Sequence, residues 1–281
     1  MYAKNTEEAT AIIIDIMKNM TLDNLKWIDY HCHCLPAIDR DATSDTDEAA
    51  AMLLSLSQQG VKRIYATPHF YLHQESAQMF AARRNASYNK LRAHPVSSAF
   101  PPIVLSAEIS IERGISEHDL SPILSETGIA LLELPYFAFK QWIIEEIENI
   151  LYKYSIIPLI AHIERYLWYE ESKIEKLMSI ENVFFQVNCG AFMSVESLKW
   201  IRKLVKSNAP IVFGSDSHNM TDRAPSFDVI NQFVKDTKPF IKAKHKAKTL
   251  DLIYNMIERQ FEMDEMEKQI LTPKTIKKLV I

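Results

Sequence analysis

The sequence is poor in cysteine and glycine and has no long apolar segment. Its 281 residues include three cysteines, Cys32, Cys34 and Cys189, and five glycines. An odd and low number of cysteines argues against a disulfide framework and is typical of a reducing compartment, so we expect a cytoplasmic protein. Cys32 and Cys34 have no second cysteine pair, which argues against a structural zinc knuckle. No apolar run approaches the roughly 18 residues that a membrane span needs.

An excess of positive charge is also missing. The formal net charge is −4, so no overall basic field favours nucleic acid as a partner. The first twenty residues do not form a signal peptide, because Glu7, Glu8 and Asp15 interrupt the apolar positions. The spacing over residues 6–20 predicts an amphipathic helix that packs against the rest of the chain or, as the less favoured alternative, contributes to an oligomer. The oligomeric state itself is not predicted.

No linker, repeat or low-complexity tract divides the chain. Apolar residues make up 47% of the sequence, which is enough for one sizeable core. We therefore expect a single domain over residues 1–281, with residues 1–26 as an N-terminal extension.

Short apolar runs rich in β-branched residues alternate with longer helical patterns. Such strands, separated by helices, indicate a parallel sheet that is covered on both faces. Seven strand–helix units in one chain favour a distorted (β/α)7 barrel, similar to a TIM barrel, over an open sheet, and the carboxyl ends of the strands are then the place where sites form. The predicted strands end at or close to His31, Thr67, Glu108, Glu133, His162, Asn188 and Asp216.

Several helix boundaries carry local signals. Ser44 is predicted to cap a helix over residues 45–59 that Gly60 ends, and Ser194 is predicted to cap a helix that runs to about residue 207. Further helices are expected at residues 75–93, 140–154 and 169–180, and a last one begins at Thr272, before Pro273.

Two histidines stand at the end of the first predicted strand. Residues two apart in an extended chain point to the same side, so His31 and His33 can direct their imidazoles at one point. Imidazole suits ions such as Zn, Mn and Fe. Taken alone, the pair fits a packed strand end as well as it fits a metal site.

The other predicted strand ends also carry potential metal ligands. The residues that share this rim are His31, His33, His69, Glu108, Glu133, His162, Asp216 and His218. One zinc ion takes about four ligands, so these residues indicate a cluster of two or three divalent ions bridged by a carboxylate, and Glu108 is the natural bridge. Ions ~3.5–4 Å apart activate a water as hydroxide and hold the oxygens of a phosphoryl group during its displacement.

Two arginines lie close in sequence to the predicted ligands. Arg165 and Arg223 follow the predicted ligands His162 and His218 closely, and a guanidinium matches a phosphate with two parallel hydrogen bonds. We expect both to bind an anion, although a surface arginine or a salt bridge at a helix end would give the same pattern. The remaining histidines are expected at the surface: His73, His94, His118 and His245.

In combination, these motifs resemble the polymerase-and-histidinol-phosphatase (PHP) superfamily. They are His31-Cys32-His33, Ala66-Thr67-Pro68-His69, Ala107-Glu108-Ile109, Glu133, Ala161-His162-Ile163-Glu164-Arg165 and Ser215-Asp216-Ser217-His218-Asn219. Within the superfamily, the chain is most similar to the bacterial metal-dependent protein-tyrosine phosphatases of capsule and exopolysaccharide loci, over residues 27–225 and more loosely to the end.

The resemblance implies a distorted (β/α)7 barrel with a trinuclear site for Mn, Fe or Zn ions. One ion would be held by His31, His33, Glu108 and Asp216. A second would be held by Glu108, Glu133 and His162. A third would be held by His69, His218 and an aspartate from the loop after the first strand. Arg165 and Arg223 match the family's phosphate-binding arginines.

The chain departs from the family pattern in two loops. It has Asp39-Arg40-Asp41 where the family usually has Asp-Asp-Gly. We expect Asp41 to supply the ligand of the third ion while Arg40 points outward, since an inward-facing Arg40 would repel that ion. Ile163 replaces a usual proline, which affects the loop more than the chemistry.

The expected activity is hydrolysis of phosphotyrosine in a protein, through attack of a metal-bridging hydroxide on phosphorus. The resemblance implies the tail of a bacterial tyrosine kinase as substrate. Strand alternation turns Cys32 away from the histidines, and the Cys-x5-Arg loop of cysteine-dependent phosphatases is absent. The alternatives are a small-molecule phosphatase, for example for histidinol phosphate, a PHP-type phosphodiesterase or nuclease, and a regulatory binding barrel without activity.

Overall fold

The computed structural model describes residues 27–137, 139–166, 171–234, 259–260, 262–264 and 266. The helices expected over residues 6–20 and from Thr272 lie outside these residues. Within the described ranges, no helix combines the length and the apolar character that crossing a membrane requires.

The described strands pair only in parallel. They are β1 (Trp27–Cys32), β2 (Val61–Ala66), β3 (His69–Phe70), β4 (Ile103–Leu105), β5 (Glu108–Ser110), β6 (Ile129–Glu133), β7 (Ile157–Ile160), β8 (Phe184–Asn188) and β9 (Ile211–Gly214). One sheet has the order β1-β2-β4, and the other has the order β3-β5-β6-β7-β8-β9.

The two sheets are parts of one seven-stranded wall, because two of its strands are interrupted. Thr67-Pro68 separates β2 from β3, and Ser106-Ala107 separates β4 from β5. Hydrogen bonds continue across the breaks: the Ser106 N–H donates to the Ala66 carbonyl at 2.9 Å, and the Glu108 N–H donates to the Pro68 carbonyl at 3.0 Å. When β2 with β3 and β4 with β5 are each counted as one strand, the wall has seven strands, which is the number that the sequence predicts.

The last strand meets the first, which closes the wall. Just beyond β9, Ser217 forms a parallel bridge with Cys32. The His33 N–H donates to the Ser217 carbonyl at 2.9 Å, and the Asp216 N–H donates to the His31 carbonyl at 2.7 Å. The expected α/β barrel is therefore confirmed, with the distortion located at the two strand breaks.

Six α-helices follow strands along the described part of the chain. They are α1 (Thr46–Gln58), α2 (Ala77–Arg92), α3 (Gln141–Tyr154), α4 (Glu171–Met178), α5 (Val195–Lys206) and α6 (Phe227–Val234). The helices expected at residues 75–93, 140–154 and 169–180 are confirmed, with ends that differ by no more than two residues.

Among the predicted caps that lie in the described residues, only the one at the start of α1 is wrong. Ser44 was the expected cap, but the carboxylate of Asp45 accepts from the Asp47 N–H at 2.8 Å and takes that role. A carboxylate also gains from the positive end of the helix dipole, which explains why Asp45 is preferred to its neighbour. Gly60 ends the segment with a φ of 94°, in the left-handed region. Ser194 caps α5 by accepting from the Ser197 N–H at 3.3 Å.

Alternate residues of β6 belong to two different apolar clusters. On β6, Ile129 and Leu131 join the smaller cluster inside the barrel, while Ala130 and Leu132 join the larger cluster between the wall and the helices. Glu133 lies two residues beyond Leu131, so its side chain points to the same inner side of the wall. The barrel interior is therefore packed with apolar side chains lower down and carries a carboxylate at its carboxyl end.

Substitution of Gly214 tests how closely the last strand approaches the first. A Cβ at this position would lie 2.5 Å from Gln186 Nε2 and 2.8 Å from His31 Cβ. We expect Gly214→Ala to lower the free energy of unfolding by about 1–3 kcal/mol, measured by urea denaturation. Gly190→Ala is the matched control, because a Cβ there would meet nothing within 4 Å. Equal stability of the two variants would contradict the close approach.

Candidate metal centre

The eight predicted ligands converge at the carboxyl ends of the strands. His31 is the last residue but one of β1, and His33 directly follows this strand. His69 lies in β3, Glu108 in β5 and Glu133 at the end of β6. His162 follows β7, and Asp216 and His218 follow β9. Seven of the eight are buried, and the His69 side chain is 17% exposed.

Three overlapping groups bring ligand atoms within 4.8 Å of one another. The groups are His33, His69 and His218; His31, His33 and Glu108; and His69, Glu108 and Glu133. The sequence anticipated that His69 and His218 would meet, and that His31 and His33 would meet Glu108. It did not anticipate the nearness of His69 to Glu133.

Glu108 lies at the middle of the site. Its Oε2 atom is 3.2 Å from both His31 Nε2 and His33 Nε2, and 3.0 Å from His69 Nδ1. Its Oε1 atom is 2.8 Å from His162 Nε2. The two carboxylate oxygens therefore face different imidazoles, which is the geometry that a bridging carboxylate needs.

Asp216 joins the same cluster from the opposite end of the chain. Its Oδ1 atom lies 3.4 Å from His31 Nε2, while Oδ2 accepts from Asn188 Nδ2 at 3.0 Å. Burial disfavours the ionised carboxyl, but the charges of His31 and Arg165 outweigh burial and hold the pKa of Asp216 well below its usual range. Asp216 is therefore a carboxylate over the whole physiological range.

The first two histidines turn their Nε2 atoms towards each other. His31 Nδ1 lies 3.0 Å from Gln186 Oε1, and His33 Nδ1 lies 2.8 Å from Asp39 Oδ2. Both partners are acceptors, since Gln186 Oε1 also receives the His162 N–H at 2.7 Å. Each Nδ1 must therefore carry the proton, and the two Nε2 atoms then face each other at 3.0 Å. Two lone pairs at that distance would repel, so either a proton or a metal ion must lie beside them.

Further buried atoms at this point have a polar neighbour within 3.3 Å but no hydrogen bond of good geometry. They are His69 Nδ1, Glu108 Oε2 and His218 Nε2. An unsatisfied buried polar atom costs roughly 1–3 kcal/mol, so three at one place call for an explanation. Bound divalent ions supply it, because imidazole nitrogens and carboxylate oxygens are ligands that such ions accept. The residues fit a metal cluster.

Asp41 lies close to two of the predicted ligands of the third ion, His69 and His218. Asp41 Oδ2 is 3.3 Å from His218 Nε2 and 3.7 Å from His69 Nε2. Arg40 is exposed. The role of Asp41 as a ligand stays a prediction.

Sequence reasoning missed two residues that orient the ligands. Asp39 Oδ2 faces His33, and its Oδ1 accepts from the His69 N–H at 3.0 Å. Gln186 joins His31 to His162, and its Nε2 donates to Asn188 Oδ1 at 2.8 Å. A glutamine inside an apolar strand was the available signal, because a buried amide needs partners. The signal for Asp39 was weaker: it is a second aspartate close to Asp41 in the loop after the first strand.

The two predicted phosphate-binding arginines both reach Asp216. Arg165 Nη2 donates to Asp216 Oδ2. Arg223 Nη2 donates to Asp216 Oδ1 at 2.8 Å, and its Nη1 donates to Asp41 Oδ2 at 3.0 Å. Arg165 also donates to the hydroxyl of Tyr136 at 3.4 Å, and the Tyr136 ring stacks near His162 with centroids 6.2 Å apart. Positive charge therefore borders the predicted ligands on this side.

Backbone strain occurs at two of the predicted ligands. His162 has a φ of 28° and Asp216 a φ of 53°, in the left-handed region that non-glycine residues rarely occupy. Such strain persists where the surrounding structure fixes it, and it is common at functional sites.

The other histidines lie away from this cluster. His73 and His118 are exposed, as predicted. His94 is partly buried and lies 2.9 Å from Asp47 Oδ1. His245 lies outside the described residues.

Metal uptake should release protons. Burial lowers the pKa of His33 and His162, but hydrogen bonds outweigh it: those to Asp39 and Glu108 raise the pKa of His33 to about 10, and those to Glu108 and Glu133 raise that of His162 to about 9. Both imidazoles of the metal-free protein are therefore protonated near neutral pH, and a metal ion must displace those protons.

We expect the apparent affinity for Mn2+ to fall as the pH is lowered from about 9 towards neutrality. Calorimetric titration of the chelator-treated protein, in two buffers with different protonation enthalpies, measures the released protons. Identical heats in the two buffers would contradict the competition between metal and protons.

Comparisons with known proteins identify the family of this chain. A family model described as capsular polysaccharide synthesis, CpsB/CapC, matches residues 27–250. The tyrosine-protein phosphatase YwqE of Bacillus subtilis (strain 168) is 28% identical over 204 residues, which is 70% of this chain and 79% of YwqE. The tyrosine-protein phosphatase CpsB of Streptococcus pneumoniae is 24% identical over 257 residues, which is 85% of this chain and 99% of CpsB.

A solved structure has the same fold. It comes from a study of YwqE from Bacillus subtilis and CpsB from Streptococcus pneumoniae, which describes them as unique metal-dependent tyrosine phosphatases. This structure superposes on the present chain with a TM-score of 0.58 at 23% sequence identity. The superposition covers 82% of this chain and 91% of the other.

Proposed function

This chain belongs to the CpsB/CapC family of capsular polysaccharide synthesis, and we propose that it is a metal-dependent phosphomonoesterase that removes phosphate from tyrosine in proteins. The observation that carries the proposal is the convergence of buried imidazoles and carboxylates on Glu108, with two arginines at the same rim. The similarity to YwqE and CpsB supports tyrosine as the substrate residue. The substrate protein that we infer is the tail of a bacterial tyrosine kinase.

We assign the predicted ligands to two or three ions of Mn, Fe or Zn. The first ion takes His31, His33, Glu108 and Asp216. The second takes Glu108, Glu133 and His162. The third takes His69, His218 and Asp41. When bound, such ions supply an activated water and positive charge for the phosphoryl oxygens.

Arg165 and Arg223 bind the phosphate in this proposal. Their contacts with Asp216 hold both guanidinium groups at the rim before substrate arrives. Each guanidinium can donate two parallel hydrogen bonds to phosphate oxygens, and its charge stabilises the charge that spreads over the equatorial oxygens in the transition state.

Aromatic side chains at the rim suit a phenyl ring. Tyr136 and Phe137 follow β6 and are about half exposed. Tyr136 stacks with Tyr166 at a centroid distance of 5.4 Å, so its ring presents a supported flat surface next to Arg165. Offset or edge contacts with such rings favour an aromatic leaving group.

A cysteine mechanism is disfavoured, and the thiols support a cytoplasmic location. Cys32 is fully buried among apolar residues. Its neighbour Cys34 and burial raise the pKa of the Cys32 thiol well above its usual range, which keeps it protonated and poorly nucleophilic.

Cys32, Cys34 and Cys189 are all free, as expected in a reducing compartment.

Loss of a predicted ligand should abolish activity. We expect His33→Ala and Asp216→Ala to lower kcat/KM for p-nitrophenyl phosphate by roughly a hundredfold or more, with a parallel loss of bound metal measured by elemental analysis. His73→Ala is the control, because this exposed histidine pairs with Glu112 and lies outside the three ligand groups. Activity that resists both a chelator and the two ligand variants would refute a metallophosphatase.

The substrate class is tested separately. We expect a phosphotyrosine peptide to be hydrolysed with a higher kcat/KM than histidinol phosphate, because the half-exposed Tyr136 and Phe137 can contact a phenyl ring and flanking peptide. Release of inorganic phosphate measures both reactions. A preference for histidinol phosphate would support the small-molecule alternative while leaving the metal chemistry intact.

A further inference from the structure

A cavity of about 550 Å3 adjoins the metal centre. It shares Asp39, Asp41 and His69 with that centre, and its outer wall includes Arg40, Met79 and Arg83. A volume of this size lies within the usual range for ligand pockets, about 300–1,000 Å3. The cavity therefore has room for a substrate side chain in addition to the group that reacts.

The carboxylates that line the cavity are already engaged. Asp39 holds His33, and Asp41 accepts from Arg223. Glu75 pairs with Arg83, whose other nitrogen donates to the Ile38 carbonyl at 2.8 Å.

Arg40 is the lining charge that remains available. It is exposed, and its guanidinium forms neither a hydrogen bond nor an ion pair with any residue that the structure describes. An unpaired guanidinium at the wall of a cavity is suited to a carboxylate or phosphate.

Asp41 connects this cavity with the proposed phosphate site. Its carboxylate accepts from Arg223 at 3.0 Å and also forms part of the cavity wall. A peptide whose phosphate is held by Arg223 can thus place a neighbouring side chain in the cavity. The Tyr71 ring, which stacks on His69 with centroids 5.6 Å apart, gives that side chain a flat apolar surface.

We propose that this cavity is a substrate subsite for an anionic side chain near the phosphotyrosine, and that Arg40 selects it. The inference rests on the proposed function. A flanking aspartate or glutamate and a second phosphotyrosine share the chemistry that Arg40 recognises. Arg40 lies in the loop between β1 and α1, so the proposed selectivity belongs to that loop.

Three phosphotyrosine peptides of equal length test the subsite. One has neutral flanking residues, one has flanking acidic residues, and one has a second phosphotyrosine. We expect the wild type to prefer the anionic peptides by roughly three- to tenfold in kcat/KM at low salt, mainly through KM. The preference should shrink as salt rises, because an exposed charge pair is screened.

Variants of Arg40 assign the preference to this residue. The ratio of kcat/KM for anionic over neutral peptide should approach one in Arg40→Ala and fall below one in Arg40→Glu. Arg40→Lys should keep part of the preference, because lysine retains the positive charge but lacks the planar guanidinium that donates two parallel hydrogen bonds. Arg92→Ala is the matched control, because Arg92 is an exposed arginine of α2 that lines a separate cavity with Phe100.

The outcomes separate the subsite from the proposed function. A preference for acidic flanking residues supports carboxylate recognition, and a preference confined to the doubly phosphorylated peptide supports phosphate recognition. Equal kcat/KM for all three peptides, or an unchanged preference in Arg40→Ala, overturns the subsite and leaves the phosphatase proposal standing. Failure of the wild type to hydrolyse any of the peptides overturns both.

Discussion

The burial of Glu108 is the constraint on which the site depends. A carboxylate removed from water is costly unless cations or hydrogen-bond donors surround it. Glu108 is fully buried, and its two oxygens face imidazoles from β1, from β3 and from the segment after β7. The closed wall of parallel strands brings these residues, which are distant in sequence, to one carboxylate. The geometry of the site therefore depends on closure of the barrel.

Hydrogen bonds to their Nδ1 atoms hold His31 and His33 in place. Asp39 and Gln186 accept from the Nδ1 atoms of His33 and His31, which directs both Nε2 atoms towards Glu108. Gln186 continues through Asn188 to Asp216, so the network connects the end of β1 with the segment after β9. Rigid hydrogen-bonded support of this kind holds ligands in place before an ion arrives, which limits the reorganisation that binding requires.

The strand ends and the convergence of their polar side chains could be predicted from the sequence, whereas the groups that orient those side chains could not. Apolar runs define parallel strands, and the carboxyl ends of such strands share one rim, so His31 and Asp216 could be assigned to the same site although they lie far apart in the chain. The partner of a buried polar group depends on tertiary packing, and no spacing rule connects Gln186 with His31. The breaks at Thr67-Pro68 and Ser106-Ala107, and the choice of Asp45 over Ser44 as a cap, likewise depend on hydrogen bonds between neighbouring segments.

Closure of the barrel between Cys32 and Ser217 also determines when this protein can acquire its ions. The proposed ligands extend from His31 to His218, so a ribosome must have made most of the 281 residues before the site can exist. Pairing of the first strand with the last is among the least local contacts in the chain, and contacts of this kind form slowly. Ions that bind only the closed barrel stabilise the folded state by mass action, so they favour folding of the newly made protein. Scarcity of metal in the cell would then lower the amount of folded protein as well as its activity.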